Sequence, residues 1–452
     1  MKHIILRMKH LKLLWLILLF SSLVVGCSSE KEAEEIKILP EEQNVTKIIN
    51  EELVTVTDNS FIVTWESDSE SRSIIYYGET TEKMKGYVCE DKLVKFHYCE
   101  VKDLESGKTY YYYTMSGKVK GEPNEFSPGV VTTLSPPSNE FIFSFASMND
   151  LHFGEEIAGL ITVGGRKLNE GMKWPDPQNP HWSFMNRAAI QEINERGADF
   201  VIINGDITSE YKEDEFQKAK EYFSIFKMPY IPLRGNHDRV GDNPEDYFVK
   251  VFDLKNFSPI SGAKYNIDEY GQVYISFVYK GFLFIGLDSS DLKTGWGKLS
   301  DQQLDWLEKT LEDNRDKVTI IFIHHPVVSQ PDDLLGQLSV LNDTSSRNRL
   351  LDIISKNEQV KAVYSGHTHR NKSNYYKGVR FSEMASVKDY PGGYAIHRVY
   401  KNGIMTNFYK TRCDECRQWS TMGKNYEFFP NLPAAQYIMF GNFDERNFVV
   451  KW

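Results

Sequence analysis

Tyr230-Ile231-Pro232-Leu233-Arg234-Gly235-Asn236-His237-Asp238 decides how this chain is read. Its first half is an apolar run of buried-strand length, and its second half is a polar turn that sets an amide, an imidazole and a carboxylate at the strand's carboxyl end. Four other stretches repeat the arrangement. Residues 141–146 lead to Asp150-Leu151-His152, 200–204 to Gly205-Asp206, 318–323 to His324-His325-Pro326, and 361–365 to Gly366-His367-Thr368-His369. Each alone reads as an ordinary turn or helix cap. Together they imply one crevice, because open α/β sheets bind ligands at the carboxyl ends of their strands.

Helical patterns over 184–195, 213–226, 300–313 and 347–355 separate these runs, so this part is α/β layered. Around 272–288 and 379–409 strands follow one another without helices, which predicts a second, partly antiparallel sheet. Upstream the rhythm differs. Short β-branched and aromatic runs over 61–65, 73–77, 95–98 and 109–114, separated by polar turns, predict a small all-β sandwich with Trp65 in its core and Tyr110 to Tyr113 alternating between two faces. Leu134-Ser135-Pro136-Pro137 breaks the pattern. The division expected is a leader over 1–26, an acidic tether over 27–44, a β-sandwich over 45–135, a catalytic domain over 136–410 and an aromatic C-terminal extension over 411–452.

The residue types gathered at the strand ends suit two metal ions. Imidazole nitrogens and carboxylate oxygens with one Asn carbonyl, and no thiolate, fit Mn, Fe or Zn rather than copper or iron–sulfur. Two ions about 3.5–4 Å apart need a carboxylate between them, and a hydroxide bridging both becomes a nucleophile at neutral pH.

With these residues in place the sequence resembles the calcineurin-like metallophosphoesterase superfamily, whose motifs read Asp-x-His, Gly-Asp, Gly-Asn-His-Asp/Glu, His and Gly-His-x-His. The resemblance covers roughly 140–409 and implies a four-layer α/β/β/α sandwich. Position by position it implies Asp150, His152 and His369 on one metal, Asp206 as the catalytic bridge, and Asn236, His324 and His367 on the other. It makes His237 the catalytic histidine that contacts the phosphoryl group and protonates the leaving oxygen. His325 stays open as the alternative to His324. The function implied is a phosphoester hydrolase, an acid-phosphatase-like monoesterase or a phosphodiesterase, whose metal-bridged hydroxide attacks the phosphorus of a small phosphoester. The alternative is a non-catalytic surface binding protein with a structural dimetal site; His237, not expected to be a ligand, weighs against it. Residues 104–113 and 126–133 resemble the end of the fibronectin-III-like module that precedes purple acid phosphatase domains, and 286–289 with 297–307 resembles the phosphodiesterase-like branch. One departure stands out. Purple acid phosphatases carry a metal-ligating Tyr three residues after the bridging Asp; here that position is Ser209, with Tyr211 two residues further, so the tyrosinate is expected to be missing.

Composition bounds the rest. Of 452 residues, 41% are hydrophobic and 13% aromatic, which excludes wholesale disorder. The net charge is −10, and −14 once a leader holding Lys2, Arg7, Lys9, Lys12 and no acid is removed, so non-specific nucleic-acid binding is disfavoured. After an apolar run over 13–20, Val24-Val25-Gly26-Cys27 resembles a bacterial lipobox. That likeness implies an exported protein anchored to a bacterial membrane, periplasmic or facing outward, through acylated Cys27. An uncleaved anchor helix is the alternative, although the run falls short of the ~20 residues a span needs. Export permits disulfides. Cys89 and Cys99 flank what reads as a hairpin and have the parity to bond; for Cys413 and Cys416 a loop disulfide is favoured over zinc, which lacks a second pair. Finally, about thirty residues separate His152 from the next helix, far more than a βα loop needs. The expectation is a lid at the crevice mouth with Trp174 and Trp182 as an apolar wall and His181 as a polar contact; the alternative is a structural elaboration.

Overall fold

The computed structural model describes residues 36–160, 162–163, 166–167, 169–239, 245–292, 294–426 and 434–452; the expected leader and Cys27 lie outside them. After a 3-10 turn at Pro40–Asn44 the N-terminal part is strand: Ile48–Val56, Phe61–Gly78, Lys85–Val101, Thr109–Ser116, Val119–Lys120 and Val130–Thr132 hydrogen-bond into one set. Phe61, Val63, Trp65, Tyr77, Cys99, Val101, Tyr110 and Tyr112 form its core. Tyr110 and Tyr112 are buried and Tyr111 exposed, the alternation that a two-faced strand requires. Trp65 stacks on His97 at 4.7 Å and donates from Nε1 to Ser116 Oγ.

Cys89 and Cys99 are bonded, but they do not flank a hairpin. Both lie within Lys85–Val101, whose pairing with Phe61–Gly78 breaks register between Glu66 and Ile74. Their Cα atoms are 5.2 Å apart at a separation of ten residues, whereas an extended strand would place them ~33 Å apart. The ribbon therefore turns back on itself, and the disulfide ties its two arms. Cys413 and Cys416 are bonded to each other.

The remainder holds two large sheets and a two-stranded ribbon, Thr162–Val163 with Arg166–Lys167. The first runs in the order Tyr230–Leu233, Val201–Asn204, Phe141–Met148, Gly393–Tyr400, Gly403–Lys410, Asn447–Lys451, with the first three parallel. The second runs Lys264–Ile267, Val273–Tyr279, Phe282–Leu287, Thr319–Ile323, Val360–Ser365, Val379–Glu383, Lys372–Tyr376, with its four consecutive strands from Phe282–Leu287 to Val379–Glu383 parallel. Val201–Asn204 and Thr319–Ile323 are buried at every residue, as strands covered on both faces must be. Phe145 meets Phe284 at 5.2 Å and Phe200 meets Phe277 at 5.6 Å, so the sheets pack face to face through aromatic rings. Helices His181–Arg196 and Glu213–Phe223 cover the first sheet. Asp301–Glu312 and Thr344–Lys356, capped by the Ser300 hydroxyl and the Asp343 carboxylate, cover the second through Leu304, Leu307, Leu311, Leu350 and Ile353. The layers are α/β/β/α.

The C-terminal segment is not an appendage. Its last strand, Asn447–Lys451, pairs along Gly403–Lys410 and closes the first sheet, and Trp419 and Cys416 of helix Asp414–Lys424 are fully buried. Burial of these apolar groups favours ordering of the chain that carries them. The N-terminal part is joined to the same sheet: Thr55 Oγ1 donates to the Phe408 carbonyl at 2.6 Å, and Val56 N donates to Asn447 Oδ1 at 3.0 Å.

Candidate dimetal centre

The five strand ends converge. To turn their side chains inward, Asp150, His152, Asp206, His367 and His369 adopt φ of 53°, 45°, 48°, 67° and 57°. A left-handed backbone is uncommon for such residues and clusters at functional sites. The turns interlock: Leu151 N and His152 N both donate to the Asp206 carbonyl, and a Cβ on Gly235 would lie 2.2 Å from Asp206 N and Oδ1. Glycine is required there by close approach.

Among the described residues four groups of ligand atoms form, each within 4.8 Å: Asp150, His152, His369; His152, Asp206, His237; Asp206, His324, His367; and, beside His369, Glu155, His181, Asp389. Asp206 belongs to two of them. Its Oδ2 lies 3.6 Å from His152 Nε2 and 3.2 Å from His324 Nε2, while Asp150 Oδ1 lies 3.5 Å from His369 Nε2 and Asn236 Oδ1 3.2 Å from His324 Nε2. All seven residues expected to hold metal are thus gathered in one place.

The residues fit such ions. Both ring nitrogens of His152 are buried with no hydrogen-bond partner among the described residues, a costly state that a cation relieves. Burial pushes the His152 and His367 imidazoles well down, keeping them neutral with a lone pair, as ligands must be. Burial opposes ionisation of Asp206, yet His324, His237 and His152 hold it well below the usual carboxylate range. His324 is the converse case: burial works against its charge, but Asp206 and Asp150 lift it to about 10. A proton on His324 answers the negative charge that a metal would otherwise answer.

The calcineurin-like phosphoesterase family model matches residues 143–371, just over half of the chain. The chain belongs to that family. A probable glycerophosphodiester phosphodiesterase (GpdQ) of Arcobacter nitrofigilis is 33% identical over 174 residues, covering 38% of this chain and 57% of that protein. The 3′,5′-cyclic adenosine monophosphate phosphodiesterase CpdA of Haemophilus influenzae is 25% identical over 192 residues, 42% of this chain and 62% of that one. In these two matches the alignment spans less than two thirds of the relative's length. A dimetal phosphatase structure from Danio rerio covers 60% of this chain and 98% of its own, at 15% identity and a TM-score of 0.46.

At this site the hydrogen bonds of His237 set its ring. Its Nδ1 donates to the Ser209 carbonyl at 2.7 Å and its backbone N donates to Asp206 Oδ1, which fixes the ring and leaves Nε2 as the working nitrogen. Of the two adjacent histidines, His324 faces the cluster with Nδ1 donating to the Asn204 carbonyl, whereas His325 uses Nδ1 on Ser289 Oγ and Nε2 on the Gly295 carbonyl. Tyr211 is buried and turned away, donating to the Glu245 carbonyl and accepting from Tyr247 N.

Of the expected lid residues, His181 is buried, and Trp174 and Trp182 are half-buried with their rings against the catalytic core. Trp174 packs on Phe184 at 5.1 Å and on Trp419, Trp182 packs on Phe153 at 5.2 Å, and His181 is 1% exposed against Glu155. Packing one ring face against these residues takes part of each indole out of water. Sequence reasoning gave no role to Glu155, Lys388 and Asp389, which form a chain of ion pairs ending at His369, or to Asp238, whose carboxylate accepts from the backbone N of Gly235, Ile207 and Thr208. Asp238 stood in the quoted motif. The other three carry no local signal.

Proposed function

We propose that this chain is a two-metal phosphoric ester hydrolase acting on small phosphodiesters. The observation that carries this is the placement of Asp206 between the His152 and His324 groups, the arrangement a bridging carboxylate needs. Asp150, His152 and His369 would hold one Mn, Fe or Zn ion and Asn236, His324 and His367 the other, with Asp206 shared. Bound there, the pair supplies Lewis acidity toward phosphoryl oxygens and an activated water at neutral pH. The protein's own part is positional. The Ser209 carbonyl orients His237 so that a proton on Nε2 can pass to the departing oxygen, a step contributing ~10²–10⁴-fold. The diester reading is favoured because the relatives described above are named phosphodiesterases. Asp206→Asn should abolish hydrolysis of bis(p-nitrophenyl) phosphate and lower the bound metal, with the N-terminal strands still folded by circular dichroism; near-normal turnover would overturn the assignment.

The same reading extends to the rest of the chain. The N-terminal strands are proposed as a fibronectin-III-like module, supported by their all-β order ahead of the catalytic sheets. Export with acylation at Cys27 is supported by the lipobox-like run and by two bonded cysteine pairs. Among the described residues no helix is long and apolar enough to cross a membrane. Mass spectrometry of the mature N-terminus decides: an unmodified Cys27 would sink the anchor.

A further inference from the structure

The long insertion after His152 has its two ends tied to the metal-binding residues. Glu155 stands at its start and His181 at its end, and His181 Nε2 lies 3.0 Å from Glu155 Oε2. The same Glu155 oxygen is 2.7 Å from Lys388 Nζ, which is in turn 2.7 Å from Asp389 Oδ2. Asp389 Oδ2 also receives the Nδ1 hydrogen of His369 at 2.6 Å, leaving His369 Nε2 toward Asp150. The C-terminal helix joins in, since Trp419 donates from Nε1 to the Lys388 carbonyl at 2.6 Å and stacks on His181 at 4.6 Å.

Lys388 is therefore a cation enclosed within the protein, its side chain 1% exposed, wedged between two carboxylates. A buried ammonium is costly unless paired on both sides, and each side of this pair belongs to a different part of the chain. Asp389 alone has rotamer freedom; clamped by Lys388 it has one setting, and that setting fixes the plane and tautomer of the His369 ring. We propose that Lys388 is a positioning residue: with Glu155 it clamps Asp389 so that His369 presents Nε2 to the metal, and the insertion is the strut that supplies Glu155 and His181. This rests on the dimetal reading given above.

A purely electrostatic role predicts the opposite sign. The buried Lys388 ammonium repels any cation held nearby, so simple removal of that charge should tighten metal binding. Clamping requires removal to loosen it. The test titrates the full metal-free chain with Mn²⁺ against a fluorescent chelator, comparing wild type, Lys388→Met, Lys388→Arg and Asp389→Asn, with thermal unfolding of each metal-free protein alongside. The expected result is two Mn²⁺ in wild type, one of them bound about 10–100-fold more weakly in Lys388→Met and Asp389→Asn, and recovery of most of that loss in Lys388→Arg. If Lys388→Met fails to fold, Lys388→Gln carries the test, since Asp389→Asn also removes a negative charge and would weaken Mn²⁺ binding on either reading. Unchanged or tighter Mn²⁺ binding in the folded variants overturns the clamp while leaving the dimetal site standing. A wild type that binds fewer than two ions overturns the dimetal reading, and the clamp with it.

Discussion

Replacing Glu52 by Gln should loosen the N-terminal strands from the catalytic sheets. Glu52 comes from the first N-terminal strand but is 1% exposed, and its carboxylate meets Lys410 Nζ at 2.9 Å, Lys424 Nζ at 3.3 Å, Tyr390 Oη at 2.5 Å and Gln436 Nε2 at 2.9 Å. Burial raises its pKa, but Lys410 and Lys424 more than offset that and hold it down at about 2 against the usual 4.5. A depression of that size corresponds to roughly 3 kcal/mol of preference for the ionised form in the folded state. Removing one partner of a buried ion pair strands the others, typically at about 3–5 kcal/mol. Lys424 is already pushed down by burial, with Glu52 offsetting only part, so the stranded charge falls heavily on it. Glu52→Gln should therefore cost about 3–5 kcal/mol at pH 7. The pH dependence has a definite sign. A folded pKa below the unfolded one gives stability that is fully present above pH 4.5 and fades as pH falls toward 2, so the wild-type advantage should shrink between pH 5 and pH 3. Urea unfolding of both proteins at pH 7, 5 and 3.5, followed by tryptophan fluorescence and far-UV circular dichroism, measures this difference, and other acids cancel in it. A difference below about 1 kcal/mol at pH 7, or one that does not change with pH, would refute the reasoning.

His237→Ala should keep both metals, because neither set of residues assigned to an ion includes it, and lose rate mainly for poor leaving groups; equal losses on aryl and alkyl esters would remove its acid role. An iron-loaded sample should lack the intense visible band of a tyrosinate complex, since Ser209 replaces the ligand and Tyr211 is bonded elsewhere; absorption spectroscopy checks this. Cys89→Ala should lower stability by about 2–3 kcal/mol under oxidising conditions and by far less in excess reductant, the scale set by closing a ten-residue loop. Equal losses in both conditions would assign the effect to packing instead.

The centre was legible because its information is local. Each of Asp150, Asp206, Asn236, His324 and His367 follows an apolar run within a few residues, so strand-end placement and residue type could be read from one window. What escaped depends on partners far apart in the chain. Glu155 and Lys388 are separated by more than two hundred residues, and neither sits next to a strand-end motif that predicts the other. Trp174 and Trp182 were only partly legible for a related reason: in a Gly- and Pro-rich stretch an indole reads as a rim, and only Phe184, Trp419 and Phe153 from other elements show that each ring is half-buried against the core. Cys89 and Cys99 had the right parity for bonding, but their being on one folded-back strand followed from register breaks that no alternation pattern encodes.

The strained backbone joins these observations. Five non-glycine residues in left-handed conformation cost about 1–2 kcal/mol each, a sum comparable to the whole net stability of a typical domain. Such a site persists only where its surroundings over-determine it. Asp238 ties two of its turns through three backbone N–H groups, the Lys388 clamp fixes a third, and the Glu52 node and the Asn447–Lys451 strand lock the first sheet to segments from both ends of the chain. The parts that looked accessory in the sequence are, in energetic terms, what permits the central residues to hold conformations they would not otherwise keep.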